Sequence, residues 1–454
     1  MSSPTTDPDR DAETDKTASK RECLQYTVEY AYEHSYFYRE VFETNDIAPA
    51  DIRTVDDLTR IPITTGEDIL ANQPPAADTF RFRNRDADCR RAFHTSGSDN
   101  TPKTIFLSYD EITAFYSGTG QQGFEHFGLT ADDCLVNYNP FVGLNPSCVY
   151  VEGAVERIGG TTLPISNTQY PIDQEVDLLR HHNPDVMMGL PSHVAAKGER
   201  FRQEEVNPAD FDFEAIFVAG EPIGEERQRH IYEMYDSPVR RFYAATELGG
   251  IGFDCLVGDG YHVLDERVHV EIIDRASGRR VPNGERGSVV ATRLLHPGEE
   301  SAMPLLRYDV GDVASVESDG DACDCTIGGD RKLYCPQRTD WEFIVGGVNL
   351  SVLFVENALH STMALRNHVE DYQIQLAYDS ETGQDVLKIA VEPATRVGGD
   401  KSLAGSIRGA LLDRHAHLRD TVETVGAARI DVELVGNVEM PPGKPQRLID
   451  HRDR

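Results

Sequence analysis

The stretch DVMMGLPSHVAAKGERFRQEEVNPADFDFEAIFVAGEPIGEERQRHIYEMYDSPVRRFYAATE, residues 185–247, indicates the fold class of this chain most clearly. It contains two short apolar runs, each followed by a segment with helical periodicity, and it ends with Val239–Tyr243, which leads into a short polar motif at residues 243–247. Such alternation is typical of buried parallel strands connected by helices. Because the same alternation extends over residues 92–245, we predict a parallel sheet that is covered by helices on both faces.

The pattern on either side of this region is different. Upstream, residues 22–42 are rich in aromatic side chains and predict one amphipathic helix. Downstream, strand-like runs are separated by Ser277-Gly278 and Asn283-Gly284, which indicates a β-rich subdomain. Beyond Asp340, strands and helices alternate again and predict a compact α+β domain of about a hundred residues.

We therefore predict a chain of the α/β class in three parts. These are a disordered acidic tail at residues 1–20, a large N-terminal domain at residues 21–339, and a small mobile C-terminal domain at residues 340–454.

The charge balance of the chain excludes one class of partner. Acidic residues outnumber basic ones by 77 to 44, and the formal net charge is −33. A nucleic-acid-binding protein usually presents a basic surface, so we expect no nucleic acid as a partner. The acids are spread along the whole chain, which favours a salt-screened, halophilic surface over an acidic ligand-binding face. Only eight basic residues are lysine.

The sequence also indicates in which cellular compartment the protein is expected. It has no run of 18 apolar residues, so we expect no membrane span. Residues 1–20 are polar and resemble no secretory signal. Eight cysteines in a chain of 454 residues do not indicate a disulfide framework, so we expect thiols or metal ligands in a cytoplasmic protein. The oligomeric state stays open, with a homodimer as one alternative.

Short polar motifs follow one another in a fixed order along the chain: Thr95–Lys103, Tyr243–Glu247, Arg307–Asp312, Gln337–Asp340 and Gly443-Lys444. The first is a loop of hydroxyl-bearing residues, and such a loop suits the phosphates of a nucleotide. Carboxylates in the second and third suit a hard cation such as Mg²⁺ and the hydroxyl groups of a ribose.

In order and spacing these motifs resemble those of the adenylate-forming, or acyl-CoA synthetase, superfamily, and within it the phenylacetate–CoA ligase branch. The resemblance implies that ATP activates a small-molecule carboxylic acid to an acyl-adenylate and that CoA then takes the acyl group, releasing AMP and pyrophosphate. It implies Mg²⁺ as a cofactor. Tyr138 and Phe141, in one expected wall of the acid pocket, indicate an aromatic or apolar acid, and the resemblance implies an aryl, phenylacetate-like one.

The resemblance also implies a role for each matching residue. It assigns phosphate binding to Thr95, Ser96, Gly97, Ser98 and Lys103, the adenine-side loop to Gly220, Glu221 and Pro222, adenine stacking to Tyr243, an α-phosphate contact to Thr246, Mg²⁺ to Glu247, the ribose to Asp312 and Arg338, the hinge to Asp340, and the reacting centre to Lys444. The chain departs from the family pattern at Asn100 and Thr101, which replace a glycine and a lysine, and at Gly346, which replaces an arginine near the CoA path.

A second constellation is formed by Cys255, His262, Cys323 and Cys325. Three thiolates and an imidazole are a sufficient set for tetrahedral Zn²⁺. The resemblance supports this interpretation, because the branch often carries cysteines and a histidine at these places. Cys335 is an alternative to His262 as the fourth ligand. We predict a structural rather than a catalytic zinc ion.

Two other functions stay open at this point. One is an adenylyltransferase that acts on a different acceptor, such as a deazaflavin cofactor, without a CoA step. The other is a non-catalytic adenylate-binding protein, which the departures at Asn100, Thr101 and Gly346 motivate.

Overall fold

The computed structural model describes residues 8–95, 102–140, 146–166, 170–318, 323–325, 331–366, 368–394, 401–438 and 446–452. The chain divides into two compact units. Unit 1 contains residues 1–168 and 240–336, and unit 2 contains residues 169–239 and 337–454.

The α-helices of the described residues are α1 (Pro8–His34), α2 (Tyr36–Thr44), α3 (Gly66–Ala71), α4 (Ser117–His126), α5 (Ser147–Ile158), α6 (Ile172–His182), α7 (Pro191–Gln203), α8 (Glu225–Tyr235), α9 (Val352–Leu359), α10 (Met363–Arg366), α11 (Lys401–Arg414) and α12 (Ala416–Asp420). The strands are β1 (Cys89–His94), β2 (Thr104–Ser108), β3 (Cys134–Asn137), β4 (Thr161–Leu163), β5 (Val186–Gly189), β6 (Ala215–Val218), β7 (Val239–Ala245), β8 (Gly249–Asp254), β9 (Tyr261–Val263), β10 (Val268–Asp274), β11 (Arg279–Arg280), β12 (Arg286–Arg293), β13 (Tyr308–Ser318), β14 (Arg331–Arg338), β15 (Glu342–Val345), β16 (Val348–Ser351), β17 (Val369–Asp379), β18 (Gln384–Pro393), β19 (Ala428–Leu434) and β20 (Leu448–Asp450).

The α/β class predicted from the sequence is confirmed. In unit 1, strands follow one another in the order β11-β10-β12-β13-β14-β9-β8-β7, and β10, β12 and β13 pair antiparallel. This is the expected β-rich part. The strands β3 and β4 pair parallel in the same unit, and β5 and β6 pair parallel in unit 2. The stretch at residues 185–247 therefore folds as β5, α7, β6, α8 and β7, in the predicted alternation.

The C-terminal part of unit 2 is an α+β fold. Its sheet has the order β19-β18-β17-β20, in which β17 and β18 pair antiparallel and both outer strands pair parallel. Apolar side chains of α9 and α11 pack on this sheet, and Val355, Ile407 and Ile389 are buried there. The division into domains at residues 339–340 stays a prediction.

The N-terminal region differs from the expectation in two ways. Helix α1 begins at Pro8, so residues 8–20 of the expected disordered tail are its first turns. Proline is favoured in the first turn of a helix. Residues 1–7 lie outside the described part of the chain. The single helix predicted at residues 22–42 is two helices, because Ser35 ends α1 and caps α2 by accepting a hydrogen bond from the N–H of Tyr38.

Buried apolar residues of α1, α2 and β13 form the core of unit 1, among them Leu24, Phe42 and Tyr308. None of the helices in the described ranges has both the length and the apolar character that crossing a bilayer requires.

Candidate functional site

The expected phosphate loop connects the strands of an antiparallel hairpin. His94 of β1 pairs with Thr104 of β2, and the N–H of Thr95 donates to the carbonyl of Lys103 at 3.1 Å. Hydrogen bonds between the two strands thus hold the two ends of the loop together. The Thr95 hydroxyl is buried and has no hydrogen-bond partner among the residues that the structure describes. The predicted residues Ser96, Gly97 and Ser98, with Asn100 and Thr101, lie outside the described part.

Three of the motifs meet at the base of this loop. The Lys103 Nζ lies 2.9 Å from Oε1 of Glu247 and donates to the Tyr308 hydroxyl at 2.7 Å. That hydroxyl donates in turn to the same oxygen of Glu247 at 2.7 Å. The side chains of Lys103 and Glu247 are only 18% and 8% exposed. An ammonium, a phenol and a carboxylate therefore form a closed triangle with little access to water.

A second tyrosine, Tyr116, contacts the backbone around Glu247. Strand β7 ends at Ala245, and Thr246 and Glu247 follow it in a turn. The hydroxyl of Tyr116 lies 3.1 Å from the Glu247 carbonyl and 3.3 Å from the Thr246 carbonyl. Tyr116 is itself fully buried. The position of the Glu247 carboxylate is thus determined by packing as well as by charge.

The charge state of Glu247 reflects two opposed effects. Burial raises the pKa of a carboxyl group, because it removes water from the charged form. The Lys103 ammonium and the hydrogen bonds from Lys103 and Tyr308 outweigh this effect, so the pKa of Glu247 lies below its ordinary value of 4.5. A buried carboxylate that is charged at neutral pH is a suitable ligand for a hard divalent cation.

Asp312 and Tyr243 also lie next to each other. Tyr243 on β7 donates from its hydroxyl to Oδ2 of Asp312 on β13 at 2.7 Å. This bond orients the Asp312 carboxylate, which is mostly buried. Both residues were expected at the nucleoside, and the contact is compatible with a shared role there.

Arg307 and Tyr308 of the third motif have roles that the sequence did not reveal. Arg307 is buried, pairs with Glu271 at 3.0 Å and donates to the Ile61 carbonyl at 2.6 Å. It therefore contributes to the core rather than to a ligand site. Tyr308 is part of the third motif, but the resemblance assigns it no role. The strand that begins at Tyr308 alternates in polarity, and neighbouring residues there point to opposite faces. This alternation was the only indication in the sequence that Tyr308 and Arg307 face different surroundings.

The adenine-side loop lies in unit 2. Gly220 has φ +86°, and a Cβ there would lie 2.7 Å from Cδ2 of Leu190. Only glycine meets both conditions at no cost. The Glu221 carboxylate accepts hydrogen bonds from the N–H and the hydroxyl of Ser192 at 3.1 and 2.9 Å, and Pro222 follows it. The loop is thus tied to the first turn of α7.

The remaining predicted residues of unit 2 are placed only in part. Arg338 is the half-buried last residue of β14. The backbone of Asp340 lies in the helical turn Thr339–Trp341, and its side chain is not among the described parts of the chain. Lys444 also lies outside the described residues, and so does the side chain of Cys335.

The departure at Gly346 has a structural reason. Gly346 and Gly347 form the two-residue turn between β15 and β16, with φ +56° and +83°. Positive φ at both positions is the geometry of a type I′ hairpin turn. A Cβ on Gly346 would lie 2.6 Å from Thr421 and 2.9 Å from Ala428. An arginine at this position would not fit the turn as it stands.

The cysteine–histidine constellation comes together in unit 1. The ligand atoms of Cys255, His262, Cys323 and Cys325 all lie within 4.8 Å of one another. The Cys255 sulfur lies 3.4 Å from that of Cys325 and 3.7 Å from that of Cys323. These distances are too long for a disulfide bond of about 2.05 Å. They are close to the edge, roughly 3.8 Å, of a tetrahedron with Zn–S bonds of about 2.3 Å.

The surroundings of Cys255 favour a thiolate. Burial raises its pKa, but the backbone N–H groups of Val257 and Gly258, together with hydrogen bonds to Cys325 and Lys332, outweigh this and bring it to about 7. The Leu256 N–H donates to the sulfur of Cys325 at 3.3 Å. Backbone donors around sulfur are what a thiolate–metal site requires of its outer shell. The four residues therefore fit a zinc ion.

Comparisons with known proteins agree on one family. The family model described as AMP-binding enzyme matches residues 30–293. A phenylacetate–coenzyme A ligase of Thermus thermophilus is 27% identical over 90% of this chain and 89% of its own length. The phenylacetate–coenzyme A ligase of Escherichia coli is 25% identical over 92% and 90%. Among solved structures, 2-hydroxyisobutyryl-CoA ligase in the postadenylation state matches with a TM-score of 0.78 at 23% identity, over 97% of this chain and 90% of the other.

Proposed function

Because the chain belongs to the AMP-binding enzyme family, whose model matches more than half of its length, we propose that it is an AMP-forming acid–thiol ligase. It activates an aryl carboxylic acid with ATP and transfers the acyl group to CoA. The two named relatives are phenylacetate–coenzyme A ligases, which supports this choice of acid and acceptor.

The contact of Lys103, Glu247 and Tyr308 is the observation that carries the proposal. It brings the end of the phosphate loop, the expected metal-binding acid and the ribose motif to one place from positions up to 205 residues apart. Convergence of distant motifs on a single buried polar site is typical of an active site rather than of three unrelated turns.

In the first step, a carboxylate oxygen of the acid forms a bond to the α-phosphorus of ATP. The bond from that phosphorus to the oxygen it shares with the β-phosphate breaks, and pyrophosphate leaves with the electron pair. Thr95 and Lys103 position the phosphates, and Asp312 and Arg338 hold the ribose. Lys444 places its ammonium where negative charge accumulates. Such positioning and charge neutralisation are sufficient for large accelerations.

Glu247 is the residue that would hold Mg²⁺. When bound, Mg²⁺ neutralises charge on the phosphates. In the structure, the Lys103 ammonium lies against the Glu247 carboxylate. Lys103 can exchange this partner for a phosphate oxygen when the nucleotide and its cation arrive, so that the carboxylate remains neutralised throughout.

In the second step, the sulfur of CoA attacks the acyl carbonyl carbon. The bond from that carbon to the phosphate oxygen breaks, AMP leaves, and the thiol proton passes to solvent. We propose that residues 340–454 rotate about Asp340 between the two steps. Domain rearrangements of this kind commonly gate enzyme reactions.

We further propose that Cys255, His262, Cys323 and Cys325 hold a structural zinc ion. The ion would fix the loop after β8 and the residues at 323–325 to each other. No step of the reaction requires a zinc-bound water.

The test is a pair of half-reactions with purified protein in molar KCl. With phenylacetate, ATP and Mg²⁺, we expect exchange of labelled pyrophosphate into ATP, and CoA should then trigger AMP release. Glu247→Gln should abolish the exchange, whereas Glu433→Gln, on an exposed side chain, should not change it. Exchange that is not followed by CoA-dependent AMP release would favour the adenylyltransferase. ATP binding without exchange for any aryl or fatty acid would favour a non-catalytic adenylate-binding protein.

A further inference from the structure

Helix α8 has an unusual N-terminus. Its N-cap is Gly224, which has no side chain to accept hydrogen bonds from the first N–H groups of the helix. Such groups need a partner when they are buried. Two residues of α9 supply the hydrogen-bond acceptors for these N–H groups. Glu356 accepts from the Gly224 N–H at 3.3 Å, and Asn357 accepts from the Glu226 N–H at 3.3 Å.

A buried ion pair lies beside this cap. The Arg227 Nε is 2.9 Å from Oε1 of Glu356, and the two side chains are only 8% and 5% exposed. The positive end of the helix dipole favours a carboxylate in the same place. We call these four residues, Gly224, Arg227, Glu356 and Asn357, the α8–α9 contact. It joins residues 220–239 to the C-terminal part of unit 2.

The α8–α9 contact is connected to the segment that follows Lys444. The Tyr372 hydroxyl lies 3.4 Å from Glu356. Arg447 lies with its guanidinium 4.6 Å from the centre of the Tyr372 ring, donates to the Tyr372 carbonyl at 2.7 Å and pairs with Asp371. The backbone of Arg447 is fixed too, because its carbonyl accepts from the Ile374 N–H at 2.8 Å.

The α8–α9 contact also adjoins the adenine-side loop, because Gly224 follows Pro222 by two residues. Burial lowers the pKa of Arg447, whereas Tyr372, Asp371 and, more weakly, the Glu221 carboxylate raise this pKa above its ordinary value. Three residues of chain span at most about 11 Å. Arg447 follows Lys444 by three residues and is connected through Tyr372 and Glu356 to the helix that begins just after the adenine-side loop. Because Lys444 is proposed to act in adenylation, the α8–α9 contact and the adenylation lysine belong to one connected set of elements.

We propose that the α8–α9 contact holds residues 340–454 in the arrangement that performs adenylation, and that it opens before the thioester step. Glu356 and Arg227 are thus positioning residues. The inference rests on the proposed two-step function. Opening would leave two buried charges and two helix N–H groups to be hydrated, so the contact sets the balance between the two arrangements.

The first test separates the half-reactions. Glu356→Gln removes the charge and keeps the size of the side chain. We expect at least a ten-fold loss of pyrophosphate exchange, with unchanged or faster thioester formation from supplied acyl-adenylate and CoA. Arg227→Met should behave in the same way, and Arg227→Lys should lose less. Arg414→Gln is the matched control, because Arg414 pairs with Glu226 at the exposed rim of the same helix. It should change either rate less than two-fold.

The second test locks the contact. A Cβ on Gly224 would lie 3.1 Å from Cγ of Asn357, and a disulfide places the Cβ of one cysteine about 3 Å from the sulfur of the other. The double variant Gly224→Cys with Asn357→Cys should therefore form a disulfide, which intact mass measurement would verify. We expect the oxidised protein to keep pyrophosphate exchange and lose thioester formation at least ten-fold, and dithiothreitol to restore it. Each single cysteine variant serves as control.

Two outcomes would overturn the inference. One is equal loss of both half-reactions in Glu356→Gln. The other is an oxidised double variant that still performs both. Failure of the proposed function is a different result, in which the unmodified protein exchanges no pyrophosphate with any acid.

Discussion

Replacing Lys103 by methionine removes the cation from the triangle it forms with Glu247 and Tyr308. Breaking a fully buried ion pair costs about 3–5 kcal/mol, because one charge is left without a partner. Lys103 is 18% exposed, and the Tyr308 hydroxyl still donates to the carboxylate. We therefore expect a loss of about 2 kcal/mol in the free energy of unfolding at pH 7.

The loss should depend on pH in a defined direction. In the unmodified protein the pKa of Glu247 is below 4.5, so the carboxylate contributes stability above pH 4.5 that is lost as the pH falls through the folded-state pKa. Without Lys103, the hydrogen bonds from Tyr308 and the backbone remain but no ammonium opposes burial, so we expect this pKa to rise above the unfolded value. The charged form is then penalised, and the penalty grows as pH rises above 4.5. The difference between the two proteins should thus be largest at pH 7 and shrink towards pH 5.

Urea unfolding, followed by circular dichroism in molar KCl without nucleotide or Mg²⁺, measures both quantities. Lys388→Met is the matched control, since Lys388 pairs with Glu433 at the surface and is 38% exposed. It should cost less than about 0.5 kcal/mol at either pH. A Lys103→Met protein as stable as the unmodified one at pH 7, or a loss independent of pH, would refute this account of the triangle.

Further predictions concern the nucleotide, the reacting centre and the metal. Asp312→Asn should weaken ATP binding by about 2 kcal/mol, because it removes charge-assisted hydrogen bonds to the ribose; calorimetry would measure this, and an unchanged affinity would contradict the assignment. Lys444→Ala should lower pyrophosphate exchange by about 10²–10³-fold while sparing thioester formation from supplied acyl-adenylate, and equal loss of both would oppose its role. The unmodified protein should contain about one zinc ion per chain by elemental analysis, as a single four-ligand site predicts. Cys323→Ser should contain much less, and a stably folded, zinc-free preparation of the unmodified protein would remove the claim.

The elements of the central and C-terminal regions could be predicted because their signal is local. Apolar runs such as Ala215–Val218 and periodic segments such as Glu225–Tyr235 specify a strand and a helix without reference to distant residues. The structure has both at these positions. The break at Ser35 was missed, because the aromatic periodicity continues through it while a single side-chain cap ends one helix and starts the next.

The site was predictable only as a set of motifs. Lys103 and Tyr308 are 205 residues apart, and no local pattern specifies that they touch. Nor does the sequence show that the motif arginine, Arg307, is neutralised inside the core by Glu271. The zinc site could be predicted because cysteine and histidine side chains are the usual zinc ligands. The distances between the sulfur atoms could be known only from the folded structure.

The composition of unit 2 affects how this protein can be divided for study. Residues 169–239 and 337–454 belong to one compact unit although residues 240–336 separate them in sequence. A fragment that stops at residue 339 would retain α8 but lose α9, leaving Arg227 and the first amides of α8 without the groups that cover them. Such a shortened protein should aggregate or bind hydrophobic dyes, and its inactivity would say little about the missing lysine. Substitutions in the intact chain are therefore the safer way to separate the contributions of residues 21–339 and 340–454.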